Sequence, residues 1–443
     1  MYVRLEVVFS EKVCVELGFV YTVWSMAPWL RLLAALVLLL LQTALAEPPR
    51  CPPHAAGRCA LTYSTRDPPR YDFSVDGIPL QIIVVDGINF ALTCWKNLTL
   101  DNSAMPRFES QLRVSIALLT NCSAPRGSYG AELQRLNVAK MDELYLYHAG
   151  NLTRAHLSDL RDLQALELVG AELAPRTLAA LAGVRRLTLD RVRLPPGELL
   201  QLPSSLEHLE LTRVGANVSH DVLERLPKLV KVRVRGDSRV TNNVPETSHE
   251  SVAVAGALRD LSLERVTLSS RSALSPELRN LTVFGWDEYW PEPWTSCALN
   301  KLILNFVQAN ELPPFWVSEC KELRVLIVRN GPRLGAVHET SLRGARRLRE
   351  LRLASCALTA LPARLLADAA DLVVLDLSGN FLKELPGDLF LLTPSLQVLD
   401  LSWNQFPSEV YTELKKILEN SGEHTTYTVC IAAPSSREGD RWQ

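Results

Sequence analysis

The chain has 443 residues, of which 47% are hydrophobic, and its formal net charge at pH 7 is −2. This balance of charge argues against a nucleic-acid binder of the usual basic type. The length would give several globular domains, unless the chain is a repeat array, which can form one elongated body without an internal boundary.

The N-terminal segment has the features of a secretory signal peptide. The charged start at residues 26–31 leads into the apolar run at residues 32–41, and residues 44–46 are the small residues of a cleavage site. We expect cleavage after Ala46 and a secreted mature chain. The apolar run is short for a membrane span, which makes an uncleaved anchor the weaker alternative. Residues 1–25 fit no targeting pattern and are interpreted as an upstream extension.

Residues 47–140 are predicted to form an N-terminal cap that disulfides staple over the open end of a repeat array. Two stretches in it, starting at Leu80 and Leu112, are interpreted as one or two degenerate coils. The cysteines of this cap are Cys51, Cys59, Cys94 and Cys122.

From Met141 onwards the chain repeats an eleven-residue phrase that is apolar at places one, four and six, and usually at nine and eleven. The phrase recurs roughly every 20 to 29 residues, a spacing typical of a solenoid. Places four and six alternate to one side of a short strand, so stacked coils would pair these strands in a parallel sheet. We predict an α/β solenoid of about twelve repeats over residues 141–410. The phrases start at Met141, Leu163, Val184, Leu206, Leu229, Leu258, Leu278, Leu299, Leu323, Leu348, Leu372 and Leu396.

The ninth place distinguishes the last coils from the middle ones. Asn380 and Asn404 occupy it in the last two coils, where an amide can satisfy backbone groups of adjacent turns. The middle coils mostly have valine there, and one has Cys356, so we expect them to be less regular. Cys356 is interpreted as a buried, unpaired thiol.

Three stretches inside or after the array are interpreted separately. Residues 241–255 are polar and poor in helix formers, which predicts a loop that bulges from the array. The aromatic, proline-containing stretch 286–294 is interpreted as local packing rather than as an exposed patch. Residues 408–420 have helical spacing and would close the far end, and residues 411–443 are assigned to a C-terminal cap and polar tail.

Eight of the nine cysteines follow residue 46, an even number that is consistent with an oxidising compartment. Cys297 and Cys320 lie just ahead of consecutive repeats and are expected to meet on neighbouring coils. Cys430 is a further disulfide candidate without an assigned partner. The spacings suit no metal site, and we expect no metal and no cofactor.

Asn-x-Ser/Thr triplets support the secretory route and predict glycosylation. A glycan on Asn280, at the third place of its phrase, would project from the strand and obstruct part of the sheet. The predicted glycosylation sites are Asn97, Asn121, Asn151, Asn217 and Asn280.

The repeated phrase resembles the leucine-rich repeat superfamily over about residues 141–410. The final repeats, in which residues 385–390 lead to the phrase at residues 396–404, look like Toll-type receptor ectodomains. This resemblance implies a horseshoe with a parallel sheet on its concave face, and a role in innate immunity or cell-surface signalling. We expect no membrane span after signal cleavage and find no cytoplasmic signalling domain, so signalling would need a co-receptor.

Arginines at the outward places of the predicted sheet would stack into basic columns. A guanidinium suits the carboxylates, sulfates or phosphates of an acidic partner. The other interpretation is a solvated charged face, because Asp190, Glu210 and Glu264 lie nearby. The candidate ligand-binding residues are Arg191, Arg213, Arg233, Arg235, Arg265, Arg329 and Arg352.

The sequence has no nucleophile elbow, zinc-protease motif, phosphate loop or EF-hand, so we expect a protein that is not an enzyme. Its expected function is secreted, non-catalytic binding of an extracellular protein or an acidic glycoconjugate, and not of nucleic acid. The alternative is a structural extracellular-matrix protein that organises fibres or glycosaminoglycan. Small leucine-rich proteoglycans usually have a tight cluster of four N-terminal cysteines. The N-terminal cysteines of this chain are more widely spaced, which favours the binding function over the matrix function.

Overall fold

The computed structural model describes two compact units, which divide between Ser205 and Leu206. The first unit is described from residue 51 to 205 and the second from 206 to 430, each with gaps. The described residues are 51, 58–62, 70–75, 77–85, 88–95, 98–103, 105–139, 141–236, 251–252, 256–268, 274–285, 296–407, 409–410 and 428–430.

Several sequence predictions fall outside these residues. They are the upstream extension and signal peptide at 1–46, the glycosylation site Asn97, the aromatic stretch 286–294, almost all of the loop 241–255 and almost all of the helix 408–420. They stay predictions.

The first unit begins with four antiparallel strands. They are β1 (Arg58–Thr62), β2 (Arg70–Val75), β3 (Ile78–Val85) and β4 (Asn89–Cys94). Each strand pairs with the next one along the chain. This antiparallel region corresponds to the predicted cap.

Parallel pairing starts at β4 and continues through the rest of the first unit. β4 pairs with β6 (Ile116–Thr120), then follow β8 (Glu143–Leu152), β9 (Ala165–Leu173) and β10 (Arg186–Asp190), each parallel to the one before. The short strands β5 (Leu112–Arg113) and β7 (Val138–Ala139) form a separate parallel pair. Between the strands lie helices α1 (Tyr129–Arg135) and α2 (Arg154–Leu157) and two 3-10 turns, Leu178–Ala180 and Glu198–Gln201.

The second unit is a parallel sheet in which each strand pairs with the next coil's strand. Two further parallel pairs, β13 with β15 and β18 with β20, lie outside this sheet. The helices of this unit are α3 (His220–Glu224) and α4 (Leu389–Leu392). In chain order the strands are β11 (His208–Thr212), β12 (Lys231–Arg235), β13 (Ser251–Val252), β14 (Asp260–Glu264), β15 (Thr267–Leu268), β16 (Asn280–Phe284), β17 (Lys301–Asn305), β18 (Glu311–Leu312), β19 (Val325–Arg329), β20 (Ala336–Val337), β21 (Glu350–Ala354), β22 (Val374–Asp376), β23 (Val398–Asp400) and β24 (Thr428–Cys430).

Every predicted phrase supplies one strand of these parallel sheets, so the predicted solenoid with its parallel sheet is confirmed. In the phrase that starts at Leu323, for example, Leu323, Leu326 and Val328 are fully buried at places one, four and six. Burial of a leucine side chain stabilises a fold by about 1.5–3 kcal/mol, and a coil alone has nothing to bury it against. The inward column of each sheet is therefore the core of its unit.

Of the two stretches predicted to form one or two degenerate coils, one forms a coil. The stretch from Leu80 is no degenerate coil, because it lies in antiparallel strand β3. The stretch from Leu112 does contain a coil, but its phrase starts at Val114, because the buried residues are Val114, Ala117 and Leu119. Strand β4 is a further coil strand that the sequence interpretation missed.

The cysteine predictions are confirmed where the structure describes the side chains. Cys51 pairs with Cys59 and Cys94 with Cys122 in the cap, and Cys297 with Cys320 on neighbouring coils. Cys356 is buried and free. The backbone of Cys430 lies in β24, which pairs in parallel with β23 within the segment that was assigned to the C-terminal cap and tail. The side chain of Cys430 lies outside the described residues.

Asn380, at the ninth place, has the predicted structural role. Its Oδ1 accepts hydrogen bonds from the backbone N–H groups of Cys356 and Leu358, at 2.9 and 3.1 Å. Its Nδ2 donates to the carbonyls of Leu353 and Leu377, at 2.7 and 2.8 Å. One amide thus satisfies buried backbone groups of two adjacent coils.

Cys356 takes over part of this role in its own coil. Its thiol donates to the carbonyl of Val328, at 3.3 Å, which is the same sixth place of the preceding coil that Asn380 reaches. A thiol is a weak donor and has no equivalent of the amide oxygen. The thiol also lies 3.3 Å from the carbonyl of Ala354, so this coil keeps only weak donor contacts where Asn380 makes stronger bonds as both donor and acceptor.

The eighth place of the phrase has a left-handed backbone in most coils, with φ between 52° and 81°. Its N–H donates to the carbonyl at place seven of the next coil, as Phe306 does to Arg329 at 3.0 Å. The chain thus turns out of the strand without losing a bond of the ladder. The residues with positive φ at this place are Asn121, His148, Gly170, Arg191, Arg213, Arg265, Gly285, Phe306, Asn330, Ser355, Gly379 and Trp403.

Candidate ligand-binding face

Places three, five and seven of each parallel strand lie on the outward face of its sheet, opposite the core. Strand β12 shows the alternation, because Val232 and Val234 are buried while Lys231, Arg233 and Arg235 are exposed. The outward side chains of β12 have no part in the core. They are free to determine what this sheet binds.

In the first unit the outward face carries tyrosines bonded to carboxylates. The hydroxyl of Tyr147 donates to Glu167 at 2.9 Å, and that of Tyr145 donates to Glu143. Glu143 is also paired with Arg186, which reaches it across the small side chain of Ala165 on the intervening strand. The hydrogen bond to Glu143, together with partial burial, raises the pKa of Tyr145 to about 12. Tyr145 therefore stays a neutral donor at physiological pH.

Arg191, Arg233 and Arg235 each face a carboxylate. Arg191 Nε lies 3.2 Å from Asp190, Arg233 Nη1 lies 3.5 Å from Glu210, and Arg235 Nε lies 2.6 Å from Glu264. The arginine side chains are about half exposed, and exposed pairs of this kind contribute only about 0–1 kcal/mol. The charges of these three arginines are therefore largely compensated within the protein.

Arg213 and Arg265 share the left-handed eighth place. Both are exposed, and their φ angles are 52° and 57°. The backbone N–H of Arg213 donates to Arg235, and that of Arg265 donates to Phe284, at 2.7 and 2.9 Å. These arginines therefore project from the turn that follows each strand rather than from the strand itself.

Arg352 and Arg329 are neighbours in the second unit with different partners. Arg352 Nε donates to Glu350 at 2.6 Å, and its Nη1 lies 3.6 Å from Asp376. Arg329 Nε instead donates to the neutral amide oxygen of Asn305, at 2.7 Å. Arg329 thus has an uncharged hydrogen-bond partner where Arg352 has two carboxylates.

The last coils carry a carboxylate and a hydroxyl on the outward face. Asp376 accepts from the hydroxyl of Ser378, and Asp400 from that of Ser402, both at 2.6 Å. Burial is the main cause that raises the pKa of Asp400 above the ordinary value. This stretch differs in chemistry from the arginine-bearing coils before it.

The structure places Arg191 in the first unit and the other six candidate arginines on the outward face and the adjoining turns of the second unit. At least four have carboxylate partners. Their role in binding an acidic partner stays a prediction.

The glycosylation triplets that the structure describes lie at different levels of the coil. Asn121 and Asn217 are exposed after the strands, and Asn151 is exposed within β8, beyond the register shift between Tyr147 and Gly150. Asn280 lies on the outward face in β16, is half-buried, and donates from its side-chain amide to Asp260. Glycans on the first three would leave the outward places free, whereas one on Asn280 would stand on the sheet.

Sequence reasoning missed one exposed aromatic residue at the eighth place, Phe306, which is 54% exposed; Trp403, at the same place of the last predicted coil, is 55% exposed. The signal in the sequence was a large apolar side chain at the eighth place, which does not pack in the core and is therefore expected to be exposed. Phe306 is the neighbour in sequence of Asn305, which the alternation alone would leave exposed but which is only 2% exposed.

Among the described residues no group of three histidine, cysteine or acidic side chains could hold a metal ion. In the same part of the chain, no helix has the length and apolar character needed to cross a membrane.

Comparison with known proteins agrees with this architecture. Residues 346–406 match the family model described as leucine rich repeat. No curated protein matches the chain. Similar solved structures include the Drosophila Toll–Spätzle complex, with a TM-score of 0.59 at 16% identity, over 84% of this chain and 59% of that one. The glycosylated form of that complex gives a TM-score of 0.52 at 16% identity, over 88% of this chain and 60% of that one.

This chain thus spans about three-fifths of the length of the Toll structures that it matches. At this identity the likeness concerns the fold alone, and the fold is that of a leucine-rich repeat solenoid. Such folds typically act as non-enzymatic binding scaffolds.

Proposed function

We propose that the protein is a secreted, non-catalytic recognition protein that binds an extracellular protein ligand through the outward faces of its parallel sheets. The observation that carries the proposal is the series of polar and charged side chains at places three, five and seven, none of which is needed for the core. A parallel sheet of stacked coils offers this surface on a rigid frame, which lowers the entropy that is lost on binding.

Secretion is supported by the three disulfides, because such bonds persist in oxidising compartments. The Toll structure to which the fold is similar is a complex with Spätzle. By that analogy the ligand here is a protein, and the setting is innate immunity or cell-surface signalling with a separate co-receptor.

A glycan placed on the sheet tests the binding surface. Capture from native extracellular fluid and cell surfaces, with the mature chain from Glu47 as bait, would first identify a partner whose dissociation constant can be measured. The double variant Arg233→Asn/Arg235→Thr then creates an Asn-Val-Thr glycosylation site on the outward face of β12. We expect this glycan to weaken binding at least tenfold.

Two control variants separate the effect of the glycan from other effects. Arg233→Gln/Arg235→Thr removes the same arginines without adding a glycan. Glu339→Asn creates an Asn-Thr-Ser site at an exposed residue outside the strands, and should leave binding unchanged. If the bait instead retains fibrous matrix components whether or not the sheet carries a glycan, the structural matrix function would replace the one proposed.

A further inference from the structure

Asn305 is a buried amide on the outward face with an unused donor. It lies at place seven of β17, where the alternation with buried Leu302 and Leu304 turns it away from the core. The residue is only 2% exposed, and its Nδ2 has no hydrogen-bond partner. A buried donor left without a partner costs about 1–3 kcal/mol.

The orientation of this amide is chemically fixed. Arg329 Nε donates to Asn305 Oδ1 at 2.7 Å. Exchange of the amide oxygen and nitrogen would set two donors against each other, because a guanidinium cannot accept a hydrogen bond. The unpaired group is therefore the N–H donor, and it needs an acceptor from outside the sheet.

The charge beside this donor is that of Arg329. The arginine is exposed, and on the preceding strand its hydrogen-bond partner is the neutral Asn305. On the other side its neighbour in register is Ala354, which has no polar side-chain group. Arg329 thus offers remaining guanidinium N–H groups next to a small side chain, with space for a ligand group.

The surface around these donors is apolar. Phe284, on strand β16, is the register partner of Asn305. Ile303 and Ile327 occupy place five on β17 and β19, the strands that carry Asn305 and Arg329. Phe306, at the adjoining turn, is exposed. Such a surface favours an aliphatic or aromatic ligand side chain next to the group that accepts the hydrogen bonds.

We infer that Asn305 and Arg329 form a binding site for an acidic residue of a protein ligand, whose carboxylate accepts from both donors while an adjacent apolar side chain packs on Phe284, Ile303 and Phe306. This inference rests on the proposed function and assigns the chemistry of one site within it. Because Asn305 is only 2% exposed, a neighbouring side chain must move to give the carboxylate access to its Nδ2.

A single carboxylate fits this site better than a sulfated polysaccharide does. Polyanions bind where several uncompensated cations are close together. Here the nearest arginine at place five, Arg352, is already paired with Glu350 and Asp376. On the side away from Arg329, Phe284 lies opposite Asn305, and Glu264 of β14 lies opposite Phe284. The carboxylate of Glu264 is paired with Arg235.

Peptides selected from a random displayed library on the full mature chain test the inference. We expect the selected peptides to contain Asp or Glu beside Leu, Ile or Phe. In a synthetic peptide of that sequence, change of the acid to its amide should weaken binding to the wild-type chain about tenfold. The same change should have little effect on binding to Asn305→Asp, because the new carboxylate would already neutralise Arg329.

Two further variants keep the test independent of folding. Asn305→Leu removes the unpaired donor and should retain the thermal midpoint while it loses the peptide. Arg347→Gln removes an arginine that is paired with Glu322 outside the strands, and should change neither property.

The inference is overturned if no acidic peptides are selected, if acidic peptides bind Asn305→Asp as well as they bind the wild type, or if only heparin binds at this site. If peptide binding does not depend on Asn305 or Arg329 but is blocked by the glycan on β12, the inferred site is wrong while the proposed function stands.

Discussion

At the scale of single residues, the buried ninth place shows how one side chain stabilises two coils. The amide of Asn380 bonds both its own coil and the preceding one. The thiol of Cys356 provides only the donor, to Val328 and Ala354. The sequence pattern identified both residues as inward, since burial at the ninth place follows from the phrase.

The thiol of Cys356 should make stability depend on pH in the alkaline range. Burial raises its pKa from 9.0 to about 12. The unfolded chain therefore loses the thiol proton at a lower pH than the folded chain does. The stability that the neutral thiol contributes is complete well below pH 9 and falls by roughly 1 kcal/mol per pH unit as the pH rises from about 9 to about 12.

The check is urea unfolding of the wild type and Cys356→Ala at pH 8, 9.5 and 10.5. Tyrosines titrate in both proteins, so the difference between the two slopes isolates the thiol. Equal slopes in the two proteins would show that Cys356 is not held neutral by burial.

At the scale of the element, the left-handed eighth place joins strand to turn in coil after coil. Only glycine adopts this backbone without strain, and other residues pay about 1–2 kcal/mol. Yet Arg191, Arg213 and Arg265 occupy it. The side chain at this place is therefore not chosen for its backbone preference.

Substitution at Arg265 should separate backbone strain from side-chain function. Arg265→Gly should leave the thermal midpoint unchanged or raise it, because glycine relieves the positive φ. Arg265→Val should lower it, at a cost of about 1–2 kcal/mol, since a β-branched residue fits this backbone poorly. Arg259→Gly is the matched control in the same coil, and should destabilise the protein because φ is not positive there. A large loss of stability in Arg265→Gly would instead mean that the side chain itself holds the turn.

The positions of the strands followed from the sequence, whereas the contacts of the outward face did not. Places four and six are buried in every predicted coil and therefore carry apolar residues. This repetition can be recognised in a single sequence. The pairing of Arg186 with Glu143 depends on the small Ala165 between them, and the burial of Asn305 depends on side chains of neighbouring coils. Such contacts are set by rotamers and register across coils, which spacing along one chain does not encode.

The cap illustrates the same limit at its boundary. In the stretch from Leu112 the phrase of the coil starts two residues later, at Val114, because Leu112 is apolar but belongs to the short strand β5. Likewise, the apolar stretch from Leu80 has the alternation of a strand whether its partner is parallel or antiparallel. The direction of pairing is decided by the turns, in particular by the short connection between β3 and β4.

At the scale of the whole molecule, stability should spread between neighbouring coils rather than act on the entire chain at once. Each strand of the array pairs only with the coil before it and the coil after it. The Cys297–Cys320 disulfide joins two such coils across 23 residues. A link of that length stabilises by about 3 kcal/mol in the chain-entropy model.

Loss of this disulfide should therefore have a regional effect. In Cys297→Ala/Cys320→Ala, we expect faster amide hydrogen exchange in residues 296–345 and in the adjoining coils, with no change in β8 and β9 of the first unit. Cys51→Ala/Cys59→Ala, which opens a link of only 8 residues, should affect the cap alone. Exchange that rises uniformly along the chain would contradict nearest-neighbour coupling.

The constant register of the strands has a consequence for how this surface changes. The coil between the starts at Leu229 and Leu258 is the longest, yet Lys231 pairs with Asp260 at the same place as His208 pairs with Lys231 one coil earlier. Insertions in the connections therefore leave every row and column of outward side chains where it was. A point substitution on the outward face therefore changes the side chain at one position of the sheet. The connecting segments can lengthen or shorten without changing the register of the strands.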